Sequence, residues 1–211
     1  MRAVIFDRDG VIIDSESINI ESAIKAFEKL GVVIKDEEKN LIIGRHPDDY
    51  KEFFLEKYSF SYKKFKEIQK KIYSKMLELC PLFKDTIYLI KKLHEMKVML
   101  ALTTSSEAES TQNIIKRAGL ERVFDVVVTF EDCKKRKPEP EPYLLTAKKM
   151  GLAPEECVVI EDSFVGVEAA KNAGMKCIVI SNGHTKNQDF PRANLIVDSA
   201  KKINISLLKS I

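Results

Sequence analysis

The stretch Ala3-Val4-Ile5-Phe6-Asp7-Arg8-Asp9-Gly10-Val11-Ile12-Ile13-Asp14 decides the fold class. Residues 3–6 form a short, wholly apolar run, as expected of a strand buried on both faces of a parallel sheet. Two carboxylates, Asp7 and Asp9, follow at its carboxyl end, where open α/β sheets bind ligands. Position therefore matters as much as identity. The pattern DxDG also opens a calcium-binding EF-hand loop. Here a third oxygen ligand and the glutamate of loop position 12 are missing, and the flanks are strand-like.

Outward from this stretch, short β-branched runs alternate with amphipathic helical stretches everywhere except residues 15–80. That alternation specifies a parallel sheet covered by helices. The predicted strands are Ala3 to Phe6, Val98 to Leu102, Val126 to Thr129, Cys157 to Ile160, Cys177 to Ile180 and Leu195 to Val197. Ile87, Ile90, Leu93 and His94 repeat at helical spacing. Ser106 with Glu109 has capping-box spacing, and Gly119 and Gly151 stand where helix C-caps are expected. Residues 15–80 read differently. Ile20, Ala23, Ile24, Phe27 and Leu30 make one helical stripe ending at Gly31, and Phe65, Ile68, Ile72, Met76 and Leu79 make another. A third helix starting at Pro47 sets Phe53, Phe54 and Tyr58 against them. The expectation is an α/β core, residues 1–14 and 82–211, with a small helical cap, residues 15–81, inserted after the first strand.

Composition bounds the function. A chain of 211 residues with 45% hydrophobic and 32% charged residues has an ordinary globular core, which excludes disordered, collagenous and coiled-coil classes. Lys plus Arg number 35 against 32 Asp plus Glu, so the net charge of +3 supplies no broad basic face for nucleic acid. The apolar run before Asp7 is too short for a signal-peptide core, and no stretch approaches the roughly 18 apolar residues of a membrane span. A soluble cytoplasmic protein is expected, independent of nucleic acid and membrane. Cys80, Cys133, Cys157 and Cys177 are far apart, with no CxxC pair, and read as reduced cysteines rather than a zinc site or disulfide framework.

The remaining strand ends supply the chemistry. Thr103-Thr104-Ser105-Ser106 places hydroxyls and amides at a helix N-terminus suited to a phosphate oxygen. Lys134, Lys135 and Arg136 read as a solvated charge run, whereas Lys137 precedes Pro138-Glu139-Pro140 on the same sheet edge as Asp7. Glu161-Asp162-Ser163 ends the fourth predicted strand. If these loops converge, each pair of like charges about 4 Å apart repels by about 4 kcal/mol at an effective dielectric near 20. A divalent cation relieves that repulsion, and all-oxygen donors favour Mg²⁺, with Lys137 adding positive charge. Such a site suits phosphoryl transfer, in which one aspartate attacks phosphorus and the other moves the proton.

The segments FDRDGVIIDSE, LALTTSS, KPEPEPY and CVVIEDSFVGVEAAKNAGM, in this order, resemble the motifs of the haloacid dehalogenase superfamily. The resemblance covers nearly the whole chain and is to phosphohydrolases with a helical cap, the β-phosphoglucomutase and phosphoglycolate phosphatase-like branch. It implies a Rossmann-like core, Mg²⁺ as cofactor, Asp7 as nucleophile and metal ligand, and Asp9 as acid/base with its backbone carbonyl on the metal. It further implies that Thr104 and Lys137 bind the phosphoryl group, with Ser105 adding a contact, and that Asp162 and Glu161 are metal ligands, Glu161 directly or through water. Arg45, beside Gly44 in a cap loop, is a candidate for a substrate anion. Asp14 to Ser17 and Cys80 to Phe83 are the hinge candidates for cap closure. The chain departs from the family at Arg8, usually apolar, and at Arg136, commonly glycine. Asn19 stands where the mutases carry histidine, and Pro47 where they carry arginine. The leading expectation is therefore a phosphatase for a small phosphomonoester such as a sugar phosphate, acting as a monomer. A β-phosphoglucomutase-like isomerase is the nearest alternative and a phosphoacceptor signalling domain the next.

Overall fold

A computed structural model describes all residues except 43–46 and 186–187. The chain divides into two compact units: Met1–Ile13 with Leu82–Ile211, and Asp14–Pro81. The first is a six-stranded parallel sheet of β1 (Ala3–Phe6), β2 (Met99–Thr103), β3 (Val126–Val128), β4 (Cys157–Glu161), β5 (Lys176–Ile180) and β6 (Leu195–Val197). Its order is β3-β2-β1-β4-β5-β6. From β1 the chain builds outward through β2 and β3, then returns to the other side of β1 for β4, β5 and β6. The direction of winding thus reverses at β1, which opens a crevice at its carboxyl end.

Alternation along the strands sorts the core into two faces. Ala3, Ile5, Ala101, Cys157, Val159, Cys177 and Val179 pack in one cluster with Tyr143, Ala147 and Met150 of α7 (Glu141–Met150) and Val167, Ala169 and Ala170 of α8 (Phe164–Asn172). Phe6, Leu100, Leu102, Ile160 and Ile178 are also buried, as double coverage requires. Each observed strand lies within a residue of its predicted bounds. Thr129 ends β3 early because its amide and hydroxyl both donate to Asp132 Oδ2, at 2.8 and 3.1 Å, turning the chain. The other helices of this unit are α5 (Lys84–Glu95), α6 (Ala108–Arg117) and α9 (Ile205–Ser210). Gly151 caps α7 at φ +67° and Gly119 follows α6 at φ +63°, conformations that cost glycine little.

Three local expectations are corrected. α5 buries Thr86, Leu89, Ile90 and Leu93, leaving His94 exposed, so the stripe is rotated from the one predicted. Ser106 does not cap α6: Glu107 occupies the N-cap position, and the Ser106 hydroxyl is spent on Asp9. Leu79 lies beyond its helix and is 88% exposed.

The second unit contains α1 (Ser15–Lys29), α2 (Asp36–Lys39), α3 (Pro47–Lys57) and α4 (Tyr62–Leu77). Asp14 caps α1 by accepting from Ser17 N and Ser17 Oγ. Phe27 is the packing centre, its ring centroid 4.4 Å from that of Phe65, 4.7 Å from Phe54 and 5.4 Å from Phe60. Aromatic pairs of this kind add about 0.5–1.5 kcal/mol each beyond area burial. Phe54 is buried and Tyr58 packs against the same cluster, whereas Phe53, expected beside them, is 42% exposed. The short α2 was not predicted. It carries the buried Glu38, which takes bonds from Lys57 Nζ, the Lys35 amide and Tyr58 Oη. The Lys57 bond, followed by those of Lys35 and Tyr58, overrides burial and holds the Glu38 carboxyl down at about 2. Arg45, the candidate anion contact, lies outside the described residues.

Candidate active site

Asp7 leaves β1 with its amide bonded to Ile160 O of β4 at 2.9 Å, which fixes its side chain at the carboxyl edge of the sheet. Lys137 arrives from the loop before α7. Its Nζ donates to Asp7 Oδ1 at 2.6 Å, Glu161 Oε1 at 2.7 Å and Thr103 O at 3.4 Å. All three charged side chains of this bridge are at most 9% exposed. The ammonium also lies 4.7 Å from the Tyr143 ring centroid, and Tyr143 Oη donates to Glu161 Oε1 at 2.8 Å.

Glu161 is saturated. Its Oε1 takes Lys137 and Tyr143, while Oε2 accepts from Asp162 N, Ser163 N and Ser163 Oγ at 3.0 to 3.1 Å. Ser163 is the N-cap of α8 and its Oγ accepts from Gly166 N, so the Glu161 carboxylate lies over the first turn of that helix, where a negative charge is favoured. Asp162 Oδ2 accepts from Asn182 Nδ2 at 2.9 Å, and the same amide reaches Gly10 O at 3.3 Å. Two glycines make these placements possible. A Cβ on Gly10, at φ +72°, would lie 1.8 Å from Asp162 Oδ2, and one on Gly166 would lie 1.8 Å from Glu161 Oε1.

The Gly166 contact yields a test. Gly166→Ala must drive Glu161 off Lys137 and Tyr143. Overpacking of this kind costs about 1–3 kcal/mol, and each kcal/mol lowers the melting temperature of a chain this size by about 2–4 °C. Thermal melting should show that drop together with loss of turnover. A variant that melts and turns over like the wild type would show that Glu161 needs no such anchorage.

The electrostatics are short of positive charge. Burial, with Glu161 and Asp9 nearby, outweighs Lys137 and pushes the Asp7 carboxyl up to about 7. Burial, then Glu161 and Asp7, raises Asp162 well above its ordinary value. Against the pull of burial, Lys137 holds Glu161 below its ordinary value, and in return Asp7 and Glu161 hold the ammonium above its own. One oxygen from each of Asp7, Glu161 and Asp162 can be chosen such that all three lie within 4.8 Å of one another. This trio of hard oxygen donors could hold a divalent cation.

Thr104 and Asp9 meet directly. Thr104 Oγ1 donates to Asp9 Oδ2 at 3.3 Å and accepts from Ser106 N at 3.1 Å. Ser105 is exposed on the same loop. The structure thus brings Asp7, Lys137, Glu161 and Asp162 into one constellation, with Asp9 and Thr104 beside it. Tyr143, Ser163, Gly166 and Asn182 were missed. Ser163 and Asn182 had a signal, because they follow β4 and β5 at the same sheet edge.

A parallel sheet whose central strands end in an aspartate and an acidic pair, bridged by a buried lysine, defines an enzyme of phosphoryl chemistry. The model of the haloacid dehalogenase-like hydrolases matches residues 4–180, and the chain belongs to that family. It is an enzyme of the superfamily's phosphatase class. Among its relatives, a phosphorylated carbohydrates phosphatase of Thermotoga maritima is 34% identical over 84% of both chains. The validoxylamine A 7'-phosphate phosphatase of Streptomyces hygroscopicus is 27% identical over 87% of both. A solved β-phosphoglucomutase from Clostridium difficile superposes with a TM-score of 0.78 at 26% identity, covering 100% of this chain and 96% of that one. No helix among the described residues is long and apolar enough to cross a membrane.

Proposed function

We propose that the chain is a Mg²⁺-dependent phosphatase of the cytoplasm that hydrolyses a small phosphomonoester, a sugar phosphate or related metabolite, through a phosphorylated Asp7. The observation that carries this reading is the buried Lys137 ammonium held between Asp7 and Glu161 with Asp162 alongside. Support for a carbohydrate phosphate comes from the relative that acts on phosphorylated carbohydrates.

An Asp7 oxygen attacks phosphorus as the bond to the leaving oxygen breaks, and Asp9 gives that oxygen a proton. Water then attacks the same phosphorus and loses its proton to Asp9. The bond from phosphorus to Asp7 breaks, so free phosphate departs and both aspartates return to their starting state. Lys137 offsets charge on the phosphoryl oxygens, and Thr104 orients them. Asp7 and Asp162, with the main-chain carbonyl of Asp9, are assigned to Mg²⁺. When bound, the ion neutralises phosphoryl charge. Glu161 is assigned chiefly to holding Lys137, because contact with the ion would compete with the five bonds it already makes. The unit of residues 14–81 is assigned the role of a cap that shields the reaction from water.

The test is phosphate release from a panel of small phosphomonoesters in Mg²⁺ and in EDTA. Release that EDTA suppresses by at least about 100-fold and added Mg²⁺ restores is the expected result. Turnover indifferent to EDTA would remove the metal from the reading. The mutase alternative is favoured by the β-phosphoglucomutase likeness. It predicts conversion of β-glucose 1-phosphate to glucose 6-phosphate without accumulation of phosphate. Asn19 argues against it, its side-chain oxygen accepting from Gln69 in place of the mutases' histidine.

A further inference from the structure

Arg8 is an arginine at an enclosed position, 1% exposed and among the largest fully buried side chains. Packing alone would be met there by an apolar residue at less desolvation cost. What the guanidinium does instead is grip the next residue in the chain. Its Nε donates to Asp9 Oδ2 at 3.0 Å and its second terminal nitrogen to Asp9 Oδ1 at 3.0 Å, a two-point fork that fixes the position and the plane of the carboxylate.

The fork is itself braced. The same terminal nitrogen donates to Ser106 Oγ at 2.7 Å, and Ser106 Oγ donates to Asp9 Oδ2 at 2.8 Å, closing a ring of three side chains. The other terminal nitrogen reaches Ser110 Oγ at 2.9 Å and Thr111 Oγ1 at 3.3 Å on the first turns of α6. Ser110 and Thr111 are held in turn by donating to Glu107 O. Asp9 is thereby tied, through Arg8, to the helix that follows β2 and the Thr104 loop.

We propose that Arg8 is a positioning residue for Asp9, setting the carboxyl that passes a proton to the leaving oxygen; this rests on the phosphatase reading above. An aspartate two residues from the nucleophile in a loop would otherwise turn about its side-chain bonds, and a misplacement of 1 Å costs about 10²-fold in rate. The role is selective among substrates. A leaving group that departs as a stable anion needs little help from Asp9, whereas a sugar hydroxyl needs its proton delivered as the bond breaks.

The experiment compares kcat/KM, which reports the step that expels the leaving group and not the shared hydrolysis of phospho-Asp7, for a sugar phosphate and for p-nitrophenyl phosphate in the wild type, Arg8→Leu, Arg8→Lys, Asp9→Asn and the Arg8→Leu/Asp9→Asn double variant. Arg8→Leu should lose about 100-fold on the sugar phosphate and under about 10-fold on the aryl ester, the same pattern as Asp9→Asn. The double variant should lose no more than Asp9→Asn alone, since both changes remove one function. Arg8→Lys, which keeps the charge but not the fork, should show the same selectivity at smaller size, and carries the test if Arg8→Leu fails to fold. Equal losses on the two substrates, no loss, or additive losses in the double variant would overturn the proposal. A wild type that releases phosphate from neither substrate would overturn the phosphatase reading and this inference with it. Wild-type turnover with unselective Arg8 variants overturns the inference alone.

Discussion

Replacing Asp7 by asparagine should reduce phosphate release by at least about 10⁴-fold, the scale seen when the nucleophile of a covalent mechanism is removed. Asparagine keeps the volume of the side chain and the backbone bond from residue 7 to Ile160 O. What it loses is the anionic oxygen that Lys137 Nζ holds at 2.6 Å. The fold should survive. Burial opposes the Asp7 charge strongly enough to raise its carboxyl to about 7, so a neutral amide relieves desolvation and the repulsion of Glu161 even as it forfeits the Lys137 pair. A melting temperature within a few degrees of the wild type is therefore expected. Intact mass of acid-quenched enzyme should show a phosphoryl adduct in the wild type alone. A variant that keeps a tenth of the wild-type rate would move the nucleophile elsewhere.

Lys137→Met should damage stability and turnover together. Methionine fits the space of the lysine stem but leaves Asp7 and Glu161 buried without the cation between them. Removing one partner of a buried ion pair costs about 3–5 kcal/mol, because the remaining charge stays desolvated and unpaired. At about 2–4 °C per kcal/mol the melting temperature should fall by roughly 6–20 °C. Measurement in EDTA keeps any divalent ion from masking the loss. Turnover should fall by at least about 10³-fold, since on the mechanism proposed above the charge on the transferring phosphoryl group loses its ammonium partner. A variant that melts like the wild type would show that the acids are already satisfied without Lys137, contrary to the bond lengths.

How much of this was legible in the sequence depended on how local each signal was. Residues buried on both faces of a parallel sheet must all be apolar, so runs such as Ala3–Phe6 and Cys177–Ile180 announce themselves and their ends locate the acids. Helix faces were less secure. Ile87, Ile90, Leu93 and His94 satisfy helical spacing, but spacing does not say which neighbouring stripe meets the sheet, and the burial of Leu89 in place of His94 is a tertiary fact. Ser106 shows the same limit at a cap: Ser-x-x-Glu is a good local signal, yet Asp9 and Arg8 compete for that hydroxyl and win it. Within the site, Asp7, Glu161 and Asp162 could be picked out because each stands at or just beyond a strand end, and Lys137 because Pro138-Glu139-Pro140 follows it. Tyr143 could not, since it lies inside a helix where an aromatic residue reads as core. The burial of Arg8 had one signal only, the apolar residue that the family resemblance puts at its position; its own charge and neighbours do not announce it.

The sheet is indifferent to what is spliced into it. The chain leaves the six-stranded unit at Ile13 and re-enters at Leu82, and these two residues form an antiparallel bridge, with Phe83 N donating to Ile12 O at 2.9 Å. Exit and entry are thus neighbours whatever lies between them. Even an unfolded connection would charge β1 and β2 only about 0.6 kcal/mol for each doubling of its length. A lineage can therefore lengthen, trim or trade residues 14–81 as a cassette while the acids, the lysine and their glycines stay in register. On the function proposed above, evolution can retune what is turned over at this doorway without reinventing how.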